Sequence, residues 1–174
     1  VVFPWATSLA LLAAPHVRLY TRFGTPLLGA RVAARIPILM YASVLFDGAY
    51  FRAKLDHALG VAVLDSATLG IGLLIGRDGD PYFAVGPRIE VGYAAASGRA
   101  SMPAATEGGS GGGGVAFAGL EALASSNLIG PFGGFVLVEA GLTLRGLEAR
   151  TDQSTILGMN GPFASLAAGL RVDL

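Results

Sequence analysis

Pro162-Phe-Ala-Ser-Leu-Ala-Ala-Gly-Leu-Arg-Val-Asp-Leu174 separates into two lists when it is read two residues at a time. Pro162, Ala164, Leu166, Ala168, Leu170, Val172 and Leu174 fall on one face. Phe163, Ser165, Ala167, Gly169, Arg171 and Asp173 fall on the other. The first face is uniformly apolar, and the second is small or polar and ends in charge. A period of two is that of a β-strand. An apolar face opposite a polar one is the pattern of a strand with lipid on one side and the interior of a barrel on the other.

The composition agrees with this reading. The 174 residues suffice for one small barrel, taken as a single domain over 1–174. Apolar residues make up 53% of the chain and charged residues only 14%, against about 25% charged in a typical soluble domain. Mean hydropathy is +0.61. Twenty-six Gly and nine Pro oppose a helical bundle. Twelve basic and twelve acidic residues cancel, so no basic field points to nucleic acid. The absence of Cys rules out disulfides and thiolate metal sites. The three most apolar windows, 26–46, 58–76 and 114–138, hold Arg31 and Arg35, Asp65, and Glu121 with Pro131, respectively. Each charge at a helix centre costs about 2.5 to 3.5 kcal/mol, which disfavours a polytopic helical protein. A barrel turns the same charges inward.

Carried along the chain, the alternation predicts eight strands. In the first, Val17, Leu19, Thr21 and Phe23 face out against His16, Arg18, Tyr20 and Arg22. In the second, Leu28, Ala30, Val32, Ala34 and Ile36 oppose Gly29, Arg31, Ala33 and Arg35, and Pro37 marks the break. The third sets Met40, Ala42, Val44 and Phe46 against Tyr41, Ser43, Leu45 and Asp47. The fourth, through Leu69 and Ile71, turns Thr68, Gly70 and Gly72 inward, and the fifth, through Ile89 and Val91, turns Arg88 and Glu90 inward. The sixth and seventh bring in Glu121 and then Glu139 and Arg145, and the eighth is 162–174. Gly24-Thr25-Pro26, the run from Arg77 to Asp80 and the segment 126–134 are turn signals. Residues 54–59, 97–114 and 148–161 read as longer loops, so short and long connections mostly alternate, with both chain ends on the periplasmic side. Residues 1–15 are a lead-in or an extra strand, the latter raising the count toward ten. Tyr20, Tyr41, Tyr50, Tyr82, Tyr93, Trp5, Phe132 and Phe163 lie mostly near strand ends, where a barrel carries its aromatic girdles.

Lumen parity collects Arg18, Arg22, Arg31, Arg35, Arg88, Arg145 and Arg171 with Asp47, Glu90, Glu121, Glu139 and Asp173. Eight strands leave an interior only wide enough for side chains to fill, and buried charges must pair. A structural ion-pair network is therefore expected, with a narrow anion-preferring path as the alternative. Catalysis in a lipid-modifying barrel would need a nucleophile, a base and an orienting acid. The two histidines, His16 at a strand entrance and His57 in a loop beside Asp56, read as rim residues, and no catalytic residue is assigned. The glycine run 108–114 lacks the Lys-Ser/Thr of a phosphate-binding loop and reads as a flexible loop, with the composition of a linker. Asp78, Asp80 and Asp152 form no calcium-loop pattern, so neither metal nor cofactor is expected. A soluble ligand-binding barrel would need an apolar interior, which the Arg/Glu parity opposes.

The sequence resembles the small eight-stranded bacterial outer-membrane barrels, such as the membrane domain of outer-membrane protein A. The ending Gly169-Leu-Arg-Val-Asp-Leu174 is similar to the C-terminal assembly signal of that class, with Val172 and Leu174 in its hydrophobic places and the usual terminal Phe absent. Gly86-Pro-Arg-Ile-Glu-Val-Gly-Tyr93 has the same character. The resemblance implies an all-β, antiparallel, up-and-down transmembrane barrel in the outer membrane, with the bilayer and the outer-membrane assembly machinery as partners. It carries over no catalytic residue.

Overall fold

The computed structural model describes residues 9–22, 25–57, 60–77, 79–100, 109–151 and 154–174. Eight strands close a barrel: β1 (Ala10–Tyr20), β2 (Leu27–Leu39), β3 (Ala42–His57), β4 (Gly60–Arg77), β5 (Tyr82–Ala100), β6 (Ser110–Ile129), β7 (Phe132–Arg145) and β10 (Pro162–Asp173). Each pairs antiparallel with its neighbours, and β10 closes the ring between β7 and β1. Two short strands, β8 (Glu148–Thr151) and β9 (Ser154–Gly158), form a separate hairpin.

Side chains obey the expected parity. Leu28, Val32, Leu69, Ile71, Ile89, Val91, Leu120, Val138, Leu166 and Leu170 are exposed on the outer face. Arg18, Arg31, Asp47, Arg88, Glu90, Glu121 and Glu139 are buried inside. A water-soluble protein does the reverse. On β5 the outer apolar row runs from Phe83 to Tyr93, about ten residue steps, or roughly 25 Å of height at a typical tilt. That matches the lipid-facing band of membrane barrels. Tyr41, Tyr50, Tyr93 and Phe132 are exposed, whereas Tyr20, Tyr82 and Phe163 are buried and belong to the core rather than to a girdle. Trp5 lies outside the described residues.

Several boundaries differ from the sequence reading. β1 starts at Ala10, so residues 10–15 lengthen the first strand instead of adding one. Pro37 lies within β2, next to an irregularity in pairing with β3, where a missing N–H is tolerated. The segment 54–57 is the end of β3, and residues 58 and 59 lie outside the described residues. β5 runs to Ala100 and β6 starts at Ser110, so most of the supposed glycine loop is strand: Gly111 to Gly114 pair with Ala96 to Tyr93. The turn expected over 126–134 shrinks to Gly130 and Pro131, where Gly130 takes the left-handed φ of +57°. The expected loop 148–161 contains the β8–β9 hairpin. Phe23, Gly24, Asp78, Gly108, Asp152 and residues 1–8 of the lead-in lie outside the described residues.

Two prolines interrupt the ladders that they cannot donate to. β1 and β10 have no paired residues between Ala13 and His16, beside Pro15. β4 and β5 have none between Gly72 and Ile75, opposite Pro87.

The two ends of the barrel are unlike. The near end holds the start of β1, the end of β10 and the tight turns at Met40-Tyr41 and Gly130-Pro131. At the far end, β3 to β6 continue past their neighbours. Pairing with β2 stops at Arg52, and pairing with β7 stops at Ala116. Residues 53–57 of β3 and 110–115 of β6 are therefore the two open edges of a four-stranded extension.

Candidate functional site

The lumen is built as three layers. In the middle, six strands send charged groups to one point. Arg18 of β1 donates to Glu90 of β5 through Nη1 at 2.9 Å and Nη2 at 2.7 Å, the fork geometry of a bidentate pair. Arg31 of β2 donates to Asp47 of β3 at 3.0 Å and to Glu121 of β6 at 3.3 Å, and pairs with Glu139 of β7. Arg88 of β5 donates to both oxygens of Asp47, Nη2 reaching Oδ1 at 2.8 Å. Arg88 also pairs with Glu90 at 3.0 Å and, through Nε, with Glu139 at 2.9 Å. Ser165 of β10 donates to Glu139. β4 contributes space instead of charge: a Cβ at Gly70 would strike the Arg88 guanidinium, and one at Gly72 the Glu121 carboxylate.

Apolar layers cover this cluster on both sides. Toward the near end lie Leu12, Leu45, Leu74, Leu123, Phe135 and Leu137. Toward the far end lie Tyr20, Phe51, Leu64, Phe117 and Phe163, with Leu157 and Met159 of the β8–β9 segment fully buried among them. The Arg18 guanidinium sits 4.6 Å from the Phe51 and Phe163 ring centres and 5.0 Å from that of Phe117, so the cation is screened by rings as well as by carboxylates. A cavity of ≈ 10 Å³ remains beside Arg88, Glu90 and Glu139, room for about one water.

The twelve residues of lumen parity divide. Arg18, Arg31, Asp47, Arg88, Glu90, Glu121 and Glu139 meet in the central cluster. Arg171 and Asp173 form a smaller group toward the near end, where Arg171 donates to Ser125 at 2.6 Å, to Asn127 and to Asp173 at 2.8 Å. Arg35 lies 4.5 Å from the Tyr82 ring centre, apart from both groups. Arg22 is an exposed far-end residue whose guanidinium pairs with Glu148 at 2.9 Å. Arg145 is exposed at the last residue of β7, beyond a pairing irregularity between Ala116 and Phe117. Near the C-terminus, Gly169 packs tightly against the Ala13 carbonyl, Val172 is half-buried and Leu174 is exposed.

His16 is not a rim residue. β1 begins six residues before it, so it sits mid-strand, buried, 3.8 Å from Glu139 and 4.6 Å from the Phe51 ring. His57 is the last residue of β3 and not part of a loop. Ser165, His16 and Glu139 come together, buried between the two apolar layers. Among the described residues no group of three or more His, Asp or Glu is placed to hold a metal. Parity pointed to most of the charged partners. It did not single out Ser125, Asn127 and Ser165, nor the plugging role of Leu157 and Met159, whose segment has no strand pattern in sequence.

No family model matches the chain, and no curated protein matches it. Among solved structures it is similar to Ail, the attachment invasion locus protein of Yersinia pestis, with a TM-score of 0.55 at 13% identity over 97% of both chains. Ail in complex with the heparin analogue sucrose octasulfate gives 0.53 at 13% identity, again over 97% of both. Neisserial surface protein A gives 0.55 at 12% identity over 96% of both. Identities this low speak to the fold alone. Closed by eight antiparallel strands, with its charges turned inward and its apolar row outward, the chain has the fold of the small outer-membrane β-barrels.

Proposed function

We propose that this chain is an outer-membrane protein that serves as a structural anchor and surface contact, and is neither a conduit nor an enzyme. The observation that carries the reading is the sealed lumen: seven interlocked charges between two apolar layers. An ion crossing the barrel would have to break buried pairs, each strongly destabilising to open. The exposed apolar belt supports a bilayer location. The signal-like ending with Val172 and Leu174, on β10 and just after it at the seam where the barrel closes, supports an assembly machinery as a partner. The far-end extension supports the contact role, because among the described residues no further strand pairs with its two edges, which suit an added strand. The names of the similar proteins, an attachment protein and a surface protein, accord with that role.

The test is planar-bilayer recording on refolded protein that shows a heat-dependent gel shift. Silence at the single-channel level is expected. Discrete, reproducible conductance steps from such protein would overturn the sealed-lumen reading.

A further inference from the structure

The far-end mouth is filled by the chain itself, and the filling has the outline of a small molecule. Leu157 and Met159 are both fully buried in a cup of Tyr20, Phe51, Leu64, Phe117 and Phe163. Across the hairpin, where Glu148 pairs with Gly158, the Glu148 carboxylate accepts hydrogen bonds from Arg22 Nη1 and Asn160 Nδ2, each at 2.9 Å. The segment thus sets an anionic head on an exposed arginine and an apolar tail in an aromatic cup. Its hold is light. β8 and β9 are four and five residues long and, among the described residues, pair only with each other, and a lone two-stranded hairpin is marginally stable in water. Among the described residues, the buried Leu157 and Met159 side chains and the Arg22–Glu148 pair tie it to the barrel, while Met159 N–H to Leu147 O at 2.8 Å closes the segment on itself. The fit is also incomplete: the Tyr20 hydroxyl, 1% exposed, has no hydrogen-bond partner among the described residues.

We propose that the far-end mouth is a binding site for a single-chain fatty acid, and that the β8–β9 segment is its displaceable internal stand-in. The acid's carboxylate replaces Glu148 on Arg22, a planar match for guanidinium. Its alkyl chain replaces Leu157 and Met159. The floor of the cup is the Arg18 guanidinium under three rings, so the tail stops there and the site favours a medium chain over a long one. A two-chain lipid does not fit, because an eight-stranded interior is only wide enough for side chains.

A fatty acid with a photoreactive diazirine in its tail, added to the full chain in lipid nanodiscs, tests this. The crosslinked residues are then mapped by mass spectrometry. Labelling of Phe51, Phe117 or Tyr20 in the wild type is expected, competed by unlabelled decanoic acid but not by decanol. Glu148→Ala, which loosens the stand-in, should raise cup labelling about threefold or more, and Arg22→Gln should abolish the preference for acid over alcohol. Labelling confined to outward residues such as Leu170, or equal competition by the alcohol, would sink the proposal. Equal cup labelling by a diazirine-tailed phosphatidylglycerol would replace the free acid with a membrane lipid and overturn it as stated. The inference rests on the sealed-lumen reading, and the two fail separately: conductance removes the seal, and labelling on the outer face alone removes the site.

Discussion

At the residue scale, the lumen is a study in unequal partners. Three guanidiniums, Arg18, Arg31 and Arg88, face four carboxylates, Asp47, Glu90, Glu121 and Glu139. Glu139 is engaged by all three arginines and by Ser165. Glu121 is reached only at 3.3 and 3.6 Å, and its Oε1 has no hydrogen-bond partner among the described residues. Removing one member of a buried pair leaves its partner charged and unpaired, at a cost of about 3 to 5 kcal/mol. Glu139→Gln should therefore lower stability by roughly that amount, and Glu121→Gln by under about 1 kcal/mol, since it relieves an excess negative charge. Urea unfolding in a detergent or lipid that permits refolding measures both; equal losses would show that the cluster does not distinguish them. Arg22→Gln, at the exposed far-end pair, should cost under about 1 kcal/mol in the same assay. Which residues face inward could be read from the alternation, because parity depends only on the strand period. Which of them meet could not. Contact across the lumen depends on height along the barrel axis, which the stagger between strands sets and a single strand does not encode. Arg145 shows the gap: it has lumen parity but sits past the irregularity between Ala116 and Phe117, in the last pair of the β6–β7 ladder, and it is exposed.

At the scale of elements, the strands were legible where a lipid-facing row contrasts with a polar one and illegible beyond it. Residues 54–57 of β3 are polar on the outer face because they lie past the apolar row, and polarity there reads as a loop. The glycines of β6 carry no side chain, so they have no parity to read; their pairing comes from β5 across the ladder. The Gly98 N–H donates to Gly109 O at 2.8 Å, and antiparallel bonding alternates from there. Gly111 and Gly113 thus direct their amides to β5, and Gly112 directs its amide to the open edge. Hydrogen exchange should be slow at Gly111 and Gly113 and fast at Gly112. Uniformly fast exchange would make the run the flexible loop that its composition resembles. The outer faces of β10 and β5 make a second pair of expectations. Leu170→Arg places a charge in the apolar belt and should cost about 2 to 4 kcal/mol and impair assembly. Ser97→Arg, on the outer face of β5 beyond Tyr93, should be within about 0.5 kcal/mol of the wild type. Equal effects of the two in a folding-yield and unfolding assay would mean that the belt does not end where the aromatic residues place it.

At the scale of the molecule, the asymmetry between the ends turns the fold into an orientation. The near end has the turns at Met40-Tyr41 and Gly130-Pro131 and both ends of the described chain; the far end has the four-stranded extension and the plugged mouth. Membrane barrels keep short turns toward the periplasm and long connections outside. Loop lengths in the sequence point the same way, but residues 54–57 and 110–114 of those expected loops are strand that continues past the apolar belt. Strands that leave the belt while still paired present a rigid surface instead of a mobile one, which suits contact better than a flexible loop would. The chain has no Cys, so a single introduced thiol reports its own position. Arg99 is exposed near the tip of β5 at the far end, and Arg77 is exposed at the near end of β4. On intact cells a membrane-impermeant maleimide should label Arg99→Cys and leave Arg77→Cys unmodified until the outer membrane is permeabilised. The reverse pattern would invert the barrel and put the open-edged extension in the periplasm. Protection of both thiols until permeabilisation would remove the protein from the cell surface and, with it, the contact role.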